Sequence, residues 1–157
     1  MTTSMTENSA VKLARLIRDE IPLADCMQLQ GGCFEQDCLS LHVPLQPNRN
    51  DKGCAFGGSM VSLMTLCGWG LVVIKLQDQE QLCDVYVQSS TVDYRRPAWS
   101  DFHAEAVLIE DESWDRFFTT LTARGKARAT LAVDLRTEDG IVATMSARYV
   151  ALRRLGS

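Results

Sequence analysis

Hydrophobic and polar positions along this chain follow two different periods. From Asn8 to Ile21 the apolar residues Leu13, Ile17 and Ile21 recur at i, i+4 and i+8, and Leu16 widens the stripe. That spacing predicts an amphipathic helix, capped by Asn8 or Ser9, with Pro22 just past its end. Two short strands are expected over 27–34 and 39–44, joined by a turn holding Glu35, Gln36 and Asp37. A polar loop, Leu45 to Gly53, leads into a helix over 58–76 that is apolar on nearly every face: Met60, Leu63, Met64, Leu66, Trp69, Leu71, Val72, Val73 and Ile74. A helix of that kind must be surrounded.

Past the polar linker 77–81 the period shortens. A Val-, Tyr-, Ser- and Thr-rich strand is expected over 84–94, stopping at Pro97, and another over 102–109. Helical spacing returns over 112–124, where Trp114, Phe117, Phe118 and Leu121 fall at i, i+3, i+4 and i+7. Strict alternation over 126–136, a turn at Thr137-Glu-Asp-Gly140 and a partner strand over 141–152 predict a hairpin. One antiparallel sheet wrapped around a long central helix satisfies this order, an α+β architecture. A sheet covers only part of such a helix, so a second copy of the chain is expected to cover the rest.

A length of 157 residues bounds the chain to one domain, 1–157, with residues 1–7 reading as a disordered tail. With 46% hydrophobic residues the chain can bury a core without staples. Net charge −4, with Arg95-Arg96 and Arg153-Arg154 as the densest basic pairs, argues against nucleic-acid binding. The first residues show no charged-then-apolar leader. Segment 57–76 approaches membrane-spanning length, but it carries Ser59, Ser62, Thr65 and four glycines. A core helix and a cytoplasmic protein with no membrane partner are expected. The six cysteines, Cys26, Cys33, Cys38, Cys54, Cys67 and Cys83, form no C-x-x-C pair. They are expected reduced and mostly buried as small apolar residues. No metal-ligand cluster is evident, and no metal is expected. There is no Ser-His-Asp arrangement, and His42 and His103 read as structural or solvent-facing strand residues.

Chemistry concentrates where the loop meets the central helix. A helix start presents unpaired N–H groups and a partial positive charge, and Gly57 and Gly58 let a ligand approach that backbone closely. A carbonyl placed there is polarised, and the Asn50 amide can donate a second hydrogen bond. Each residue also has a plainer reading. Asn50 can close an Asx turn, Gly57-Gly58 can be only a tight turn, and Ser59 can cap the helix. Thr65 can be a satisfied helix residue or a substrate or water contact, and Phe56 can line a pocket or pack in the core. Cys54 lies in the same loop without an identifiable basic partner.

The stretch Asn50-Asp-Lys-Gly53-Cys-Ala-Phe56-Gly57-Gly58 resembles the active-site loop of hotdog-fold thioesterases, Asn-x-x-Gly-x-x-His-Gly-Gly. The continuation through Leu66-Cys-Gly-Trp69-Gly resembles more narrowly the YiiD C-terminal hotdog family, some of whose members are malonyl-acyl-carrier-protein decarboxylases of the MadA/MadB type. The resemblance covers most of the chain and implies a hotdog fold. It departs from the hydrolytic pattern twice. Phe56 stands in place of the usual His, and Thr65 stands nine residues on, where many hotdog thioesterases place a carboxylate. No Asp or Glu occurs between Gly53 and Gln77, so the usual group for activating water is missing.

The resemblance therefore implies decarboxylation of malonyl-acyl carrier protein to the acetyl form, feeding fatty-acid synthesis. Acyl-CoA or acyl-carrier thioester hydrolysis is the alternative, with Asp93 or Glu35 as candidate bases, and a non-catalytic acyl-thioester binding module is a third reading. Asn50, Gly57, Gly58 and Thr65 are the expected catalytic set. Phe56, Ser59, Ser89, Ser90, Arg95 and Arg96 are the expected substrate contacts; neighbours on a strand point to opposite faces, so only one of the two arginines is expected to reach the phosphopantetheine phosphate or the acidic face of a carrier protein, the other being solvated. Phosphopantetheine belongs to the substrate, on acyl carrier protein or CoA, and no separate cofactor is expected. The assembly is expected to be a homodimer or a dimer of dimers, with the 84–94 strand lining the partner's site.

Overall fold

The structure, a computed structural model, describes residues 8–155. The tail expected at 1–7 lies outside the described residues.

Helix α1 spans Ser9–Glu20 and buries Ala10, Leu13, Ala14 and Ile17. Asn8 caps it, accepting from the Ala10 N–H at 2.9 Å, and its amide donates to the Gly32 carbonyl at 2.9 Å. Pro22 does not merely follow this helix. It begins a second, short helix, α2, Pro22–Cys26. Proline suits the first helical position because the N–H it lacks would be unpaired there. This extra turn moves the first strand, expected from Met27, to β1, Gln30–Glu35. β1 joins β2, Cys38–Val43, through Gln36 and Asp37, whose φ values of 50° and 58° suit a two-residue hairpin turn. After β2 the chain makes one 3₁₀ turn, Gln46–Asn48. Buried Asn48 donates to the Met27 and Pro44 carbonyls at 3.0 and 2.8 Å, which pins the loop that follows.

Helix α3 spans Gly57–Asp78. The rest of the chain supplies β3, Cys83–Tyr94; β4, Phe102–Leu108; α4, Trp114–Arg124; β5, Lys126–Thr137; and β6, Gly140–Arg153. The six strands form one antiparallel sheet in the order β1-β2-β4-β5-β6-β3. The sheet is wrapped around α3, which packs on β2 through β6. Its inner face is rich in alanine, including Ala104, Ala106, Ala129, Ala143, Ala147 and Ala151. Small residues on the sheet leave room for the large α3 side chains Leu63, Met64 and Leu71, all fully buried. Gly68 lies so close to Tyr149 that a Cβ there would sit 2.4 Å from the phenol oxygen.

α3 is long and apolar enough to cross a membrane, yet here it is the core helix. One side remains only partly covered, along Val61, Leu66, Trp69 and Val73. α4 starts at Trp114 rather than Glu112. Ser113 caps it by accepting from the Arg116 N–H at 3.1 Å, and Gly125 (φ 68°) ends it. The Glu112 side chain instead accepts from the Thr130 N–H at 2.9 Å.

The expectation of mostly buried cysteines holds only for Cys54 and Cys67. Cys26 and Cys33 are exposed, Cys38 and Cys83 half-buried, and all six are free. The strand periods explain this, since Cys38 alternates with buried Leu39 and faces away from α3. Cys67 faces the sheet, where its thiol donates to the Leu39 and Ala104 carbonyls and burial pushes its pKa up. His42 and His103 pair across β2 and β4 on the face away from α3, with ring centroids 5.0 Å apart.

Candidate active site

The start of α3 is open. Phe56 occupies the cap position in extended conformation and offers no side-chain cap. Met60 N–H bonds the Phe56 carbonyl at 3.0 Å, while the N–H groups of Gly57, Gly58 and Ser59 find no partner among the described residues. These groups are the ones a helix leaves for an external acceptor. Ser59 is the third helical residue and not the cap, because the chain becomes helical at Gly57. Phe56 does not pack in the core. It is 54% exposed, and its ring folds over Gly58, where a Cβ would lie 2.3 Å away. Glycine at this position is therefore needed for the aromatic ring to rest on the helix mouth.

Tyr94 stands on the other side of that mouth. It ends β3 opposite Ala143, on the sheet face that packs on α3. Its hydroxyl donates to the Gly57 carbonyl at 3.4 Å, and it is half exposed. Sequence reasoning missed it. The period-2 alternation of β3, which places Tyr94 on one face with Val92 and Ser90, was the signal that could have found it.

The loop before α3 doubles back as a small ladder. The Phe56 N–H donates to the Asn48 carbonyl at 2.7 Å, Arg49 bridges Ala55, and the Asn50 N–H reaches the Cys54 carbonyl at 2.7 Å. Gly53 closes it with φ 89°, a left-handed conformation that favours glycine. The Ala55 N–H bonds the Ala98 carbonyl at 2.8 Å, tying the ladder to the β3–β4 connection. The Asn50 side-chain oxygen accepts from the Lys52 N–H at 2.8 Å, so the Asx turn forms. Its amide nitrogen donates to the buried Cys54 sulfur at 3.2 Å. One amide N–H of Asn50 is left over. Asn50 sits two rungs from the helix cap, and no hydrogen bond among the described residues joins it to Gly57 or Gly58.

Thr65 lies two turns along α3. Its carbonyl accepts from the Tyr149 hydroxyl at 2.8 Å, and its side chain helps line an apolar pocket of about 210 Å³ with Ile21, Leu23, Val61, Ser62 and Leu66. The bulge at Gln88 sets the faces of the two serines. Ser90 is opposite Ala147 on the α3 side, and Ser89 is opposite Arg148 on the outer side. Arg96 is committed to the β5–β6 turn, donating to the Asp139 and Ile141 carbonyls at 2.6 and 3.1 Å. Arg95 has no side-chain partner among the described residues and is exposed.

Neither candidate base stands at the helix mouth. Asp93 pairs with Thr144 on the outer sheet face. Glu35 lies at the β1–β2 turn, whose Asp37 binds Lys75 near the other end of α3 at 2.7 Å. Asp51, in the loop itself, is held by Lys52 at 3.0 Å, and that hydrogen bond keeps its carboxyl below the usual range. Among the described residues, no group of three or more His, Cys, Asp or Glu is placed to hold a metal ion.

The open helix start and the glycine pair are part of a longer pattern. A family model described as "Putative thioesterase (yiiD_Cterm)" matches residues 10–153. The chain belongs to the YiiD C-terminal family. Three solved structures share the fold of this YiiD-family chain over nearly its whole length. A Shewanella oneidensis protein described as a "putative thioesterase" is 26% identical (TM-score 0.82), covering 92% of this chain and 97% of that one. A Chlorobaculum tepidum protein described as of unknown function is also 26% identical (TM-score 0.83; 94% and 100% covered). A Pseudomonas aeruginosa protein described as a probable thioesterase is 28% identical (TM-score 0.76; 91% and 95% covered). The YiiD-family chain thus has the hotdog fold of the thioesterase superfamily, and the sheet-wrapped α3 is its central helix.

Proposed function

We propose that this protein decarboxylates a malonyl thioester carried on acyl carrier protein, yielding the acetyl form. The observation that carries the reading is the pairing of an open, glycine-lined helix start with a central helix bearing no carboxylate before Asp78, its last residue. Loss of carbon dioxide leaves an enolate on the thioester oxygen. That step needs stabilisation of a developing negative charge and no base to remove a proton. The free N–H groups at Gly57 and Gly58 supply it, and each such donor is worth roughly 2.7–4 kcal/mol in known oxyanion sites. The spare amide N–H of Asn50 is the proposed second donor. The enolate carbon must then take a proton, and the Tyr94 hydroxyl beside Gly57 is the proposed source. Phe56 and Ser59 border the acyl group, and Ser90 and Arg95 meet the carrier arm.

The site is completed by a second copy. β3 is an edge strand of twelve residues with Tyr86 and Val87 exposed. Such an edge is a template for pairing. The half-covered stripe Val61, Leu66, Trp69 and Val73 beside it needs the same cover. A homodimer through β3 answers both.

Hydrolysis of an acyl thioester is the second reading, favoured by the family's description and by the neighbour described as a probable thioesterase. Intact-mass analysis of malonyl- and acetyl-acyl carrier protein after incubation with the enzyme separates the two. Conversion of malonyl to acetyl carrier supports decarboxylation. Free carrier from both substrates refutes it in favour of hydrolysis. Carrier recovered unchanged, in a stable complex with the protein, leaves only binding.

A further inference from the structure

A second cleft lies on the opposite face of the sheet. Arg116 on α4, Arg128 on β5 and Arg148 on β6 border a cavity of about 310 Å³, large enough for a small ligand. Most other arginines with a described contact are held by this chain's own oxygens: Arg96 by the β5–β6 turn, Arg136 by Glu105 and Asp134, Arg154 by Asp84. Two of the three at the cleft are not, and the third is held only through Nε. Arg128 donates from Nε to the Gln88 amide oxygen at 3.1 Å, and its terminal nitrogens have no partner among the described residues. Arg116 and Arg148 have no side-chain hydrogen bond or ion pair among the described residues. Glu112, the one carboxylate on the cleft wall, is turned to the Thr130 N–H and lies beyond ion-pair distance of all three.

Three like charges around one cavity repel one another, and they do so here in a chain of net charge −4. The start of α4 opens on the same cavity and adds partial positive charge. An anion relieves both. Buried Phe117 is among the lining residues, so part of the occupant is apolar. Guanidinium forks match phosphate oxygens in pairs. We infer that this cleft binds the phosphate ester of a small organic molecule. The binding itself is independent of the thioester chemistry. The ester can be the phosphate-bearing end of the thioester's own carrier or a separate phosphorylated metabolite.

Isothermal titration with adenosine 3′,5′-bisphosphate tests this, with Arg116→Ala/Arg148→Ala and Arg116→Lys/Arg148→Lys beside the native protein. Saturable binding is expected, weakened about tenfold or more in the alanine pair and less in the lysine pair. Both pairs replace exposed side chains, and circular dichroism checks that they fold. In a turnover assay with a CoA thioester, competition by the bisphosphate assigns the cleft to the carrier. Binding without any effect on KM assigns it to a separate ligand. No saturable binding to the native protein, or equal affinity in the alanine pair, overturns the inference whether or not the protein turns over thioesters.

Discussion

The buried sulfur of Cys54 accepts a hydrogen bond from the Asn50 amide at 3.2 Å, while the Lys52 N–H holds the amide oxygen at 2.8 Å. Together they fix which way the amide faces. Asn50→Ala is expected to lower turnover on the order of a hundredfold with KM largely kept, if its amide is the oxyanion donor proposed above. Cys54→Ala should lower kcat by a smaller factor, and Cys54→Ser should restore most of it because a hydroxyl can also accept. Steady-state kinetics on the three variants checks this. Equal losses in Cys54→Ala and Cys54→Ser would show that the sulfur acts through packing instead.

Tyr94→Phe removes the hydroxyl at the helix mouth and keeps the ring against Gly57. With Tyr94 as proton source, kcat should fall about a hundredfold or more, with thermal stability unchanged. A variant that decarboxylates at the native rate assigns the proton to another group.

Gly68→Ala tests the closest approach in the core. The added methyl would lie 2.4–2.7 Å from the Tyr149 hydroxyl and ring, and Tyr149 is fully buried and bonded to the Thr65 carbonyl. Neither helix nor strand can yield cheaply. A loss of about 1–3 kcal/mol is expected by urea denaturation, despite alanine's better helix propensity.

His42 predicts a pH dependence of stability. Burial, then the neighbouring His103, holds its pKa below the ordinary 6.5, and Glu105 opposes this only in part. A depressed folded pKa means the unfolded chain binds the proton more readily, so this contribution is present above about pH 6.5 and is lost as pH falls below it. Melting temperature should drop between about pH 7.5 and pH 5.5. His42→Gln should flatten that slope.

Much of the fold was legible in residue periods. The all-apolar run of α3 and the strict alternation of β5 each admit one environment, a surrounded core helix and a half-buried strand. α2 was not legible. Pro22 reads equally as the end of one helix and the start of the next, and five residues carry too little periodicity to decide. At the site, Gly57, Gly58 and Asn50 stood out because glycine and asparagine chemistry is local. Tyr94 did not, because its relation to Gly57 spans 37 residues and depends on the β3–β6 register.

The sequence by itself determined a sheet wrapped around a surrounded helix, the glycine-opened helix start and the missing carboxylate at Thr65, because each follows from residue type and short-range spacing. Only the tertiary structure decided which groups meet. Strand register put Ser90 on the α3 side and Ser89 outside, turned Arg96 into the β5–β6 hairpin, and gathered Arg116, Arg128 and Arg148 around one cleft. A shift of one residue in that register reverses every such assignment, and the information that sets it is spread over the whole packed core.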